Sequence, residues 1–321
     1  PSLYGPLELM PEDVRERVAG VVINKFRGSK AVLDPGIEKF ESMTGVPVLG
    51  VLPAKDPGLP AEDSVSLPAA GEHTVFGTED GMSEERAVSV AVPRLPFISN
   101  FTDLEPLAAY PGVRIHYVPL DAGLGEYEAV VLPGSKNTVD DLLALHEAGF
   151  EERIRDFDRP VVGICGGYQM LGERIERAGI ESTRVEGTVD GLSLLPVATE
   201  FSTEKEVSRT TCAVDGAGPI AGATGTASGY EIHMGETRFL GSVATPLEPT
   251  SALDGAVLGT YLHGIFENAS VRTAFLETLF DRAGVTRPTD ASAAESPYER
   301  AASLLETHLD LSRIEGLGAL V

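Results

Sequence analysis

Short, nearly continuous apolar runs recur along this chain, separated by stretches with helical spacing. Val18–Asn24 and Pro47–Leu52 read as buried strands, with a helical pattern near Gly36–Thr44 between them. Strand, helix, strand at this spacing predicts a βαβ unit of a parallel sheet. A polar, Gly/Glu/Ser-rich stretch follows at residues 68–86 and reads as a linker. Beyond it the alternation resumes, with strands expected at Val88–Pro93, Val113–Val118, Ala129–Leu132 and Pro160–Ile164. Helices fit Val139–Glu147, Gln169–Ala178 and Ser270–Ala283, and a last amphipathic one fits Tyr298–Leu309. Around Leu192–Phe201 the pattern becomes strand-like, Gly-rich turns cluster at Gly216–Gly229, and Thr286–Glu295 has the composition of a disordered segment. The architecture that fits is α/β, an open and mostly parallel sheet with an antiparallel extension.

Composition narrows the setting. The chain has 321 residues, 42% of them hydrophobic, enough to bury a core. No apolar run reaches the length of a membrane span, and the N-terminus has no signal-peptide pattern. Two cysteines, Cys165 and Cys212, do not make a disulfide framework, so a reducing cytoplasm is the expected compartment. The 49 acidic residues against 25 basic ones give a formal net charge of −24, which argues against nucleic acid or an anionic membrane as partner. Scattered acid with only six lysines resembles proteins of salt-accumulating organisms, where dense salt screens self-repulsion. The first residue is Pro1 rather than methionine, which leads us to expect a longer protein with a preceding N-terminal half.

The sharpest chemical signal is Pro160-Val161-Val162-Gly163-Ile164-Cys165-Gly166-Gly167-Tyr168-Gln169-Met170-Leu171-Gly172. An apolar strand runs into a cysteine flanked by glycines, and a helical pattern follows, as in a nucleophile elbow with sulfur in place of oxygen. Glycines permit the sharp turn that side chains would block. The start of a helix favours the nucleophilic thiolate, and the Gly166 N–H is placed to receive an oxyanion. A lone cysteine is more often a core residue, but a core residue needs no such run of glycines. Cys212, in an ordinary strand pattern, reads as inert.

A thiolate that attacks an amide needs a proton donor for the leaving ammonia. Six histidines compete: His73, His116, His146, His233, His263 and His308. His73 falls in the linker, His146 and His308 on polar helical faces, and His116 mid-strand. His263 ends the run Ala256–Leu262 and precedes Gly264, so it stands at a strand's carboxyl end with room to meet a second loop. Glu231 and His233, two apart, share one face of a strand and could form an ion pair or hold a metal. Lys136 and Asn137 follow the Pro133-Gly134 turn and could meet a ligand or cap the next helix.

With these motifs in view, the chain resembles the class I glutamine amidotransferases, and within them the cobyric acid synthase branch. The resemblance rests on Gly163–Gln169 and Gly259–Gly264, on Pro93–Asp103, Leu132–Thr138 and Gly229–Gly235, and on Gly20–Gly28 and Leu59–Val65. It implies a flavodoxin-like amidotransferase domain at 87–321, preceded at 1–67 by the end of a dethiobiotin-synthetase-like P-loop ATPase domain. It implies that Cys165 forms a glutamyl thioester with His263 as acid and base, and that Gly134, Ser135, Gly166, Gln169, Tyr230 and Glu231 line the glutamine site, with no metal. The wider class carries a glutamate two residues after the histidine; here that position is Ile265. The branch shares this departure, and what orients His263 stays open between Glu231 and a backbone carbonyl.

The resemblance further implies that the complete enzyme uses ATP and Mg2+ to activate carboxylates of a corrinoid, adenosylcobyrinic acid a,c-diamide, amidating them to cobyric acid. A P-loop, G-x-x-x-x-G-K-[ST], is absent from these 321 residues, so glutamine hydrolysis is what this stretch is expected to carry alone. Rival readings are cobyrinic acid a,c-diamide synthase, the glutaminase partner of a cell-wall amidating ligase, and a silent regulatory module. The Ile98–Asp103 and Leu59–Val65 motifs favour the cobyric acid synthase branch over the first of these, and the intact cysteine and histidine argue against silence.

Overall fold

The apolar runs become the parallel strands of two sheets. The computed structural model describes residues 3–57, 72–249, 251–288 and 297–313, and the chain forms two compact units, 1–60 with 292–321, and 61–291.

In the first unit, β1 (Val21–Phe26) pairs in parallel with β2 (Val48–Pro53), and α1 (Lys30–Thr44) makes the crossover. The helix starts upstream of the expected Gly36, taking Pro35 into its interior, and Gly45 closes it in the left-handed region at φ 70°. The last helix, Pro297–His308, belongs to this unit, whereas the sequence reading places it with the residues from 87 onward. Leu309 bridges to Gly50, and the Asp310 N–H donates to the Leu49 carbonyl at 2.8 Å. A Cβ on Gly50 would stand 2.3 Å from the His308 carbonyl, so this approach needs the missing side chain.

The second unit is built on a seven-stranded sheet. Its strands are β3 (Thr74–Phe76), β4 (Val88–Pro93), β5 (Val113–Val118), β6 (Ala129–Leu132), β7 (Val161–Ile164), β10 (Ser251–Asp254) and β11 (Val257–Thr260). They lie in the order β10-β11-β7-β6-β4-β5-β3. The five inner strands run parallel, and β3 and β10 close the edges antiparallel. Taken as successive parallel strands, β4, β5, β6, β7 and β11 follow the flavodoxin-like order 2-1-3-4-5, so ligands are expected at their carboxyl ends. The inner strands are apolar on both faces because both faces are covered; Val88, Val90, Val92, Val130, Val162 and Leu258 are all fully buried.

Two expectations are corrected here. The stretch read as a linker, in its described part, supplies strand β3, which pairs with β5 through Val75 and His116. Fully buried Arg114 fastens it, donating to Asp80 and to the Gly77 and Met82 carbonyls. The helix expected over Gln169–Ala178 is instead α3 (Gly166–Leu171). It ends at Gly172 because the chain there passes against Val197, whose carbonyl would lie 2.8 Å from an added Cβ, and then enters a short strand at Arg174–Glu176.

Before α3 comes α2 (Thr138–Glu147), and after it the antiparallel extension: a long hairpin of β8 (Val197–Asp215) and β9 (Thr224–Phe239). The Gly-rich stretch expected as turns is turn and 3₁₀ structure up to Ala223, and from Thr224 it runs as strand within β9. Residues 201–204 of β8 bulge opposite Gly235, whose φ of 95° suits only glycine comfortably. A final α4 (Ala269–Ala283) buries Val271, Phe275, Leu276 and Leu279. The expected disorder at Thr286–Glu295 lies mostly outside the described residues. Among the described residues no helix is long and apolar enough to cross a membrane.

Candidate active site

Cys165 sits at the turn between β7 and α3, with φ 53° and ψ −110°. That backbone is strained for a residue with a side chain, as a nucleophile elbow requires. Its neighbours explain how the strain is held. A Cβ on Gly167 would lie 2.0 Å from the Leu132 carbonyl, and one on Gly163 would lie 2.7 Å from the Gly167 carbonyl carbon. The helix is thus seated directly on the strands. The Cys165 N–H donates to the Thr260 carbonyl at 2.8 Å, tying the elbow to the end of β11. The thiol points at the Ile232 carbonyl of β9, 3.2 Å away.

His263 lies three residues beyond the end of β11, 1% exposed. Its backbone pairs with Tyr230 in both directions, at 2.9 and 3.3 Å, and the Tyr230 ring stacks on the imidazole with centroids 5.0 Å apart. Its Nδ1 is 2.7 Å from Asp103 Oδ2, while Asp103 Oδ1 accepts the Gly264 N–H at 2.8 Å. Burial alone would pull the imidazole's pKa down. Hydrogen bonds to Asp103 and to the Cys165 thiol, with the charges of both, more than reverse this and raise it to about 10. The Asn100 amide nitrogen lies 3.1 and 3.0 Å from the two ring nitrogens, a position off the ring plane.

Asp103 is the residue that sequence reasoning missed. It closes the Pro93–Asp103 motif, yet nothing in that motif marks its partner. The local fold delivers it. After β4, Ile98–Ser99 pairs antiparallel with Gly134–Ser135; Asn100 turns the chain in the left-handed region at φ 51°, and a 3₁₀ turn over Phe101–Leu104 presents the carboxylate. Glu231, one of the two candidates for orienting His263, pairs instead with His233 at 3.6 Å, and its buried Oε1 has no hydrogen-bond partner among the described residues. His233 in turn stacks on Tyr261 at 4.0 Å.

The other expected site residues gather at the same sheet edge. Gly134 lies against the imidazole, since a Cβ there would be 3.3 Å from His263 Cε1. A Cβ on Gly166 would stand 3.0 Å from the Ser135 backbone nitrogen, so these two backbones meet beside the cysteine. Gln169 is 2% exposed; its Nε2 donates to the Met234 carbonyl at 3.2 Å and to the Tyr261 hydroxyl at 3.3 Å, and its Oε1 accepts from Thr138 at 3.2 Å. Asn137 caps α2, accepting the Asp140 N–H at 3.0 Å, and Lys136 is exposed. His73 and His116 stack on each other away from this edge, Cys212 is buried against the Ala227 carbonyl, and no metal-ligating cluster occurs among the described residues.

Residues 89–271 match the CobB/CobQ-like glutamine amidotransferase domain. The probable cobyric acid synthase of Halobacterium salinarum is 55% identical over 312 residues, covering 97% of this chain and 61% of that protein. Those of Methanosarcina acetivorans and Methanoculleus marisnigri are 43% and 44% identical, each covering 98% of this chain and 63% of the relative. The chain thus spans about three fifths of the length of these relatives.

Proposed function

This chain belongs to the CobB/CobQ-like glutamine amidotransferases, and on that footing we propose that Cys165, His263 and Asp103 release ammonia from glutamine for a cobalamin-pathway amidation. The observation that carries the reading is the meeting of a strained thiol, an imidazole raised to about 10 and a buried carboxylate at one sheet edge.

The thiolate attacks the side-chain amide carbon, forming the C–S bond and an oxyanion. The Ser135 and Gly166 N–H groups, on backbones that Gly134 and Gly166 allow to approach, receive that charge. His263, held as the imidazolium between Asp103 and Cys165, gives its proton to the amide nitrogen; the C–N bond breaks and ammonia leaves. The acylated sulfur no longer carries the charge that favoured the imidazolium. His263 then takes a proton from water, which attacks the thioester, and glutamate departs as the C–S bond breaks. Gln169, Tyr230 and Glu231 border the bound glutamine, Gln169 by fixing the Met234 edge of β9.

For the whole protein, the reading extends to amidation of peripheral carboxylates of adenosylcobyrinic acid a,c-diamide, giving cobyric acid. ATP with Mg2+ would supply the activation of those carboxylates. Among the described residues the two Gly-Ser-Lys stretches do not fit a nucleotide phosphate: Lys30 opens an exposed helix after Gly28, and Gly134–Lys136 belongs to the glutaminase edge. The N-terminal half of the longer protein is the partner that would carry ATP.

The test is ammonia release from glutamine by the purified chain in high salt, beside Cys165→Ser. Release that the substitution abolishes supports the reading; release that survives it sinks the thiolate mechanism. Full-length protein supplied with ATP and the a,c-diamide then has to convert corrinoid, or the acceptor is another one.

A further inference from the structure

The mechanism above leaves a fully buried carboxyl beside the site unused. Asp141, on the first turn of α2, is 0% exposed, and burial pushes its carboxyl up to about 6 against the hydrogen bonds it accepts. Such a group is costly to bury, and it stays only where its bonds hold something in place. Its two oxygens reach opposite strands of the small ladder beside the catalytic cysteine. Oδ2 accepts from the Ser135 hydroxyl at 2.5 Å, and Oδ1 accepts the Phe97 N–H at 2.9 Å. The ladder itself pairs Ile98 with Ser135 and Ser99 with Gly134, and the Lys136 N–H closes onto the Phe97 carbonyl at 2.8 Å. The Ser135 hydroxyl, donating its O–H to Asp141, accepts the Asn137 N–H at 2.9 Å, which fixes the turn into α2.

The consequence falls on the oxyanion site. The Ser135 nitrogen lies 3.0 Å from where a Cβ on Gly166 would be, so these two backbones meet beside Cys165, where the glutaminase reading puts the oxyanion. Among the described residues Ser135 is tied to this corner through its own hydroxyl, and that hydroxyl donates to Asp141. We infer that Asp141 is the positioning residue of the oxyanion hole, locking Ser135 to the Phe97 segment so that the Ser135 N–H stays aimed beside Gly166. Pre-set donors stabilise developing charge because they need no reorganisation at the moment of reaction, so a loosened ladder slows the acyl-transfer steps without changing how the thiolate itself reacts. The inference rests on the glutaminase reading above.

Two reactions of the same sulfur separate this role from a structural one. Glutamine hydrolysis needs an oxyanion hole; alkylation by iodoacetamide, a displacement at saturated carbon, does not. In the purified chain, Asp141→Asn is expected to lower kcat for glutamine about tenfold or more. KM and the rate of Cys165 carboxamidomethylation, followed by peptide mass, stay within about twofold of wild type. A kcat equal to wild type overturns the inference, and so does a parallel fall in turnover and alkylation, which marks general damage to the elbow. Ser135→Ala, which removes the handle and keeps the backbone, is the second variant should Asp141→Asn fail to fold. It is expected to lower kcat with alkylation unchanged, and an unchanged kcat overturns the inference equally. Wild-type chain that alkylates at Cys165 but releases no ammonia counts against the glutaminase reading, visibly apart from any difference between variants.

Discussion

Asp103 Oδ2 stands 2.7 Å from His263 Nδ1, across 160 residues of sequence, and its other oxygen accepts the Gly264 N–H. The carboxylate therefore fixes both the ring and the backbone that carries it. A glutamate two residues after the histidine would serve the same end in the wider class; here Ile265 fills that position, fully buried, and the carboxylate arrives from another loop.

Asp103→Asn keeps the size and loses the charge. It is expected to lower kcat for glutamine by roughly 10²–10⁴-fold, the range seen when an orienting carboxylate or a general acid–base is lost. Steady-state ammonia release checks it, and a loss below about twofold would remove Asp103 from the site.

The same pair shapes stability against pH. His263 is raised from 6.5 to about 10, so its contribution is fully present below about 6.5 and fades as pH rises through about 10. Denaturant unfolding of wild type and Asp103→Asn should show a gap in stability at neutral pH that narrows toward pH 10 and above. A gap constant with pH would mean that the imidazole's protonation is not linked to folding.

Arg114 is the anchor of the edge strand. Its side chain is 1% exposed, holding Asp80 at 2.9 and 3.0 Å and the carbonyl of Met82 at 3.1 Å. Its guanidinium keeps the Asp80 carboxyl down at about 2. Arg114→Met leaves the Asp80 carboxylate with only the Met82 and Gly112 N–H donors and takes the guanidinium from the Gly77 and Met82 carbonyls, and is expected to cost about 1–3 kcal/mol of stability, read by chemical denaturation.

Gly167→Ala puts a Cβ 2.0 Å from the Leu132 carbonyl. Backbone cannot move aside there without lifting α3 from the sheet, so little folded protein is expected on expression. Normal yield and activity would show that the helix has slack.

With a net charge of −24, the surface repels itself in dilute buffer. The midpoint of thermal unfolding is expected to rise from dilute buffer to molar KCl, as screening shortens the reach of each charge. A midpoint that falls with salt would contradict a composition suited to a salt-accumulating habitat.

What the sequence determined by itself is what local periodicity and local chain geometry carry. The inner strands β4 to β7 were legible because, buried on both faces, they are written as unbroken apolar runs. The elbow was legible because its glycines and its cysteine are consecutive, and His263 because a strand end and Gly264 flank it. The partner of His263 was not legible. Asp103 meets it only after a crossover between distant strands, and no spacing rule encodes a contact across 160 residues. The place of the last helix on β2, the true extent of α3, and the strand hidden in the apparent linker were likewise decided by packing. In each case a backbone close approach or a buried guanidinium outweighed the local pattern, because burial and hydrogen bonding are settled between segments and not within them.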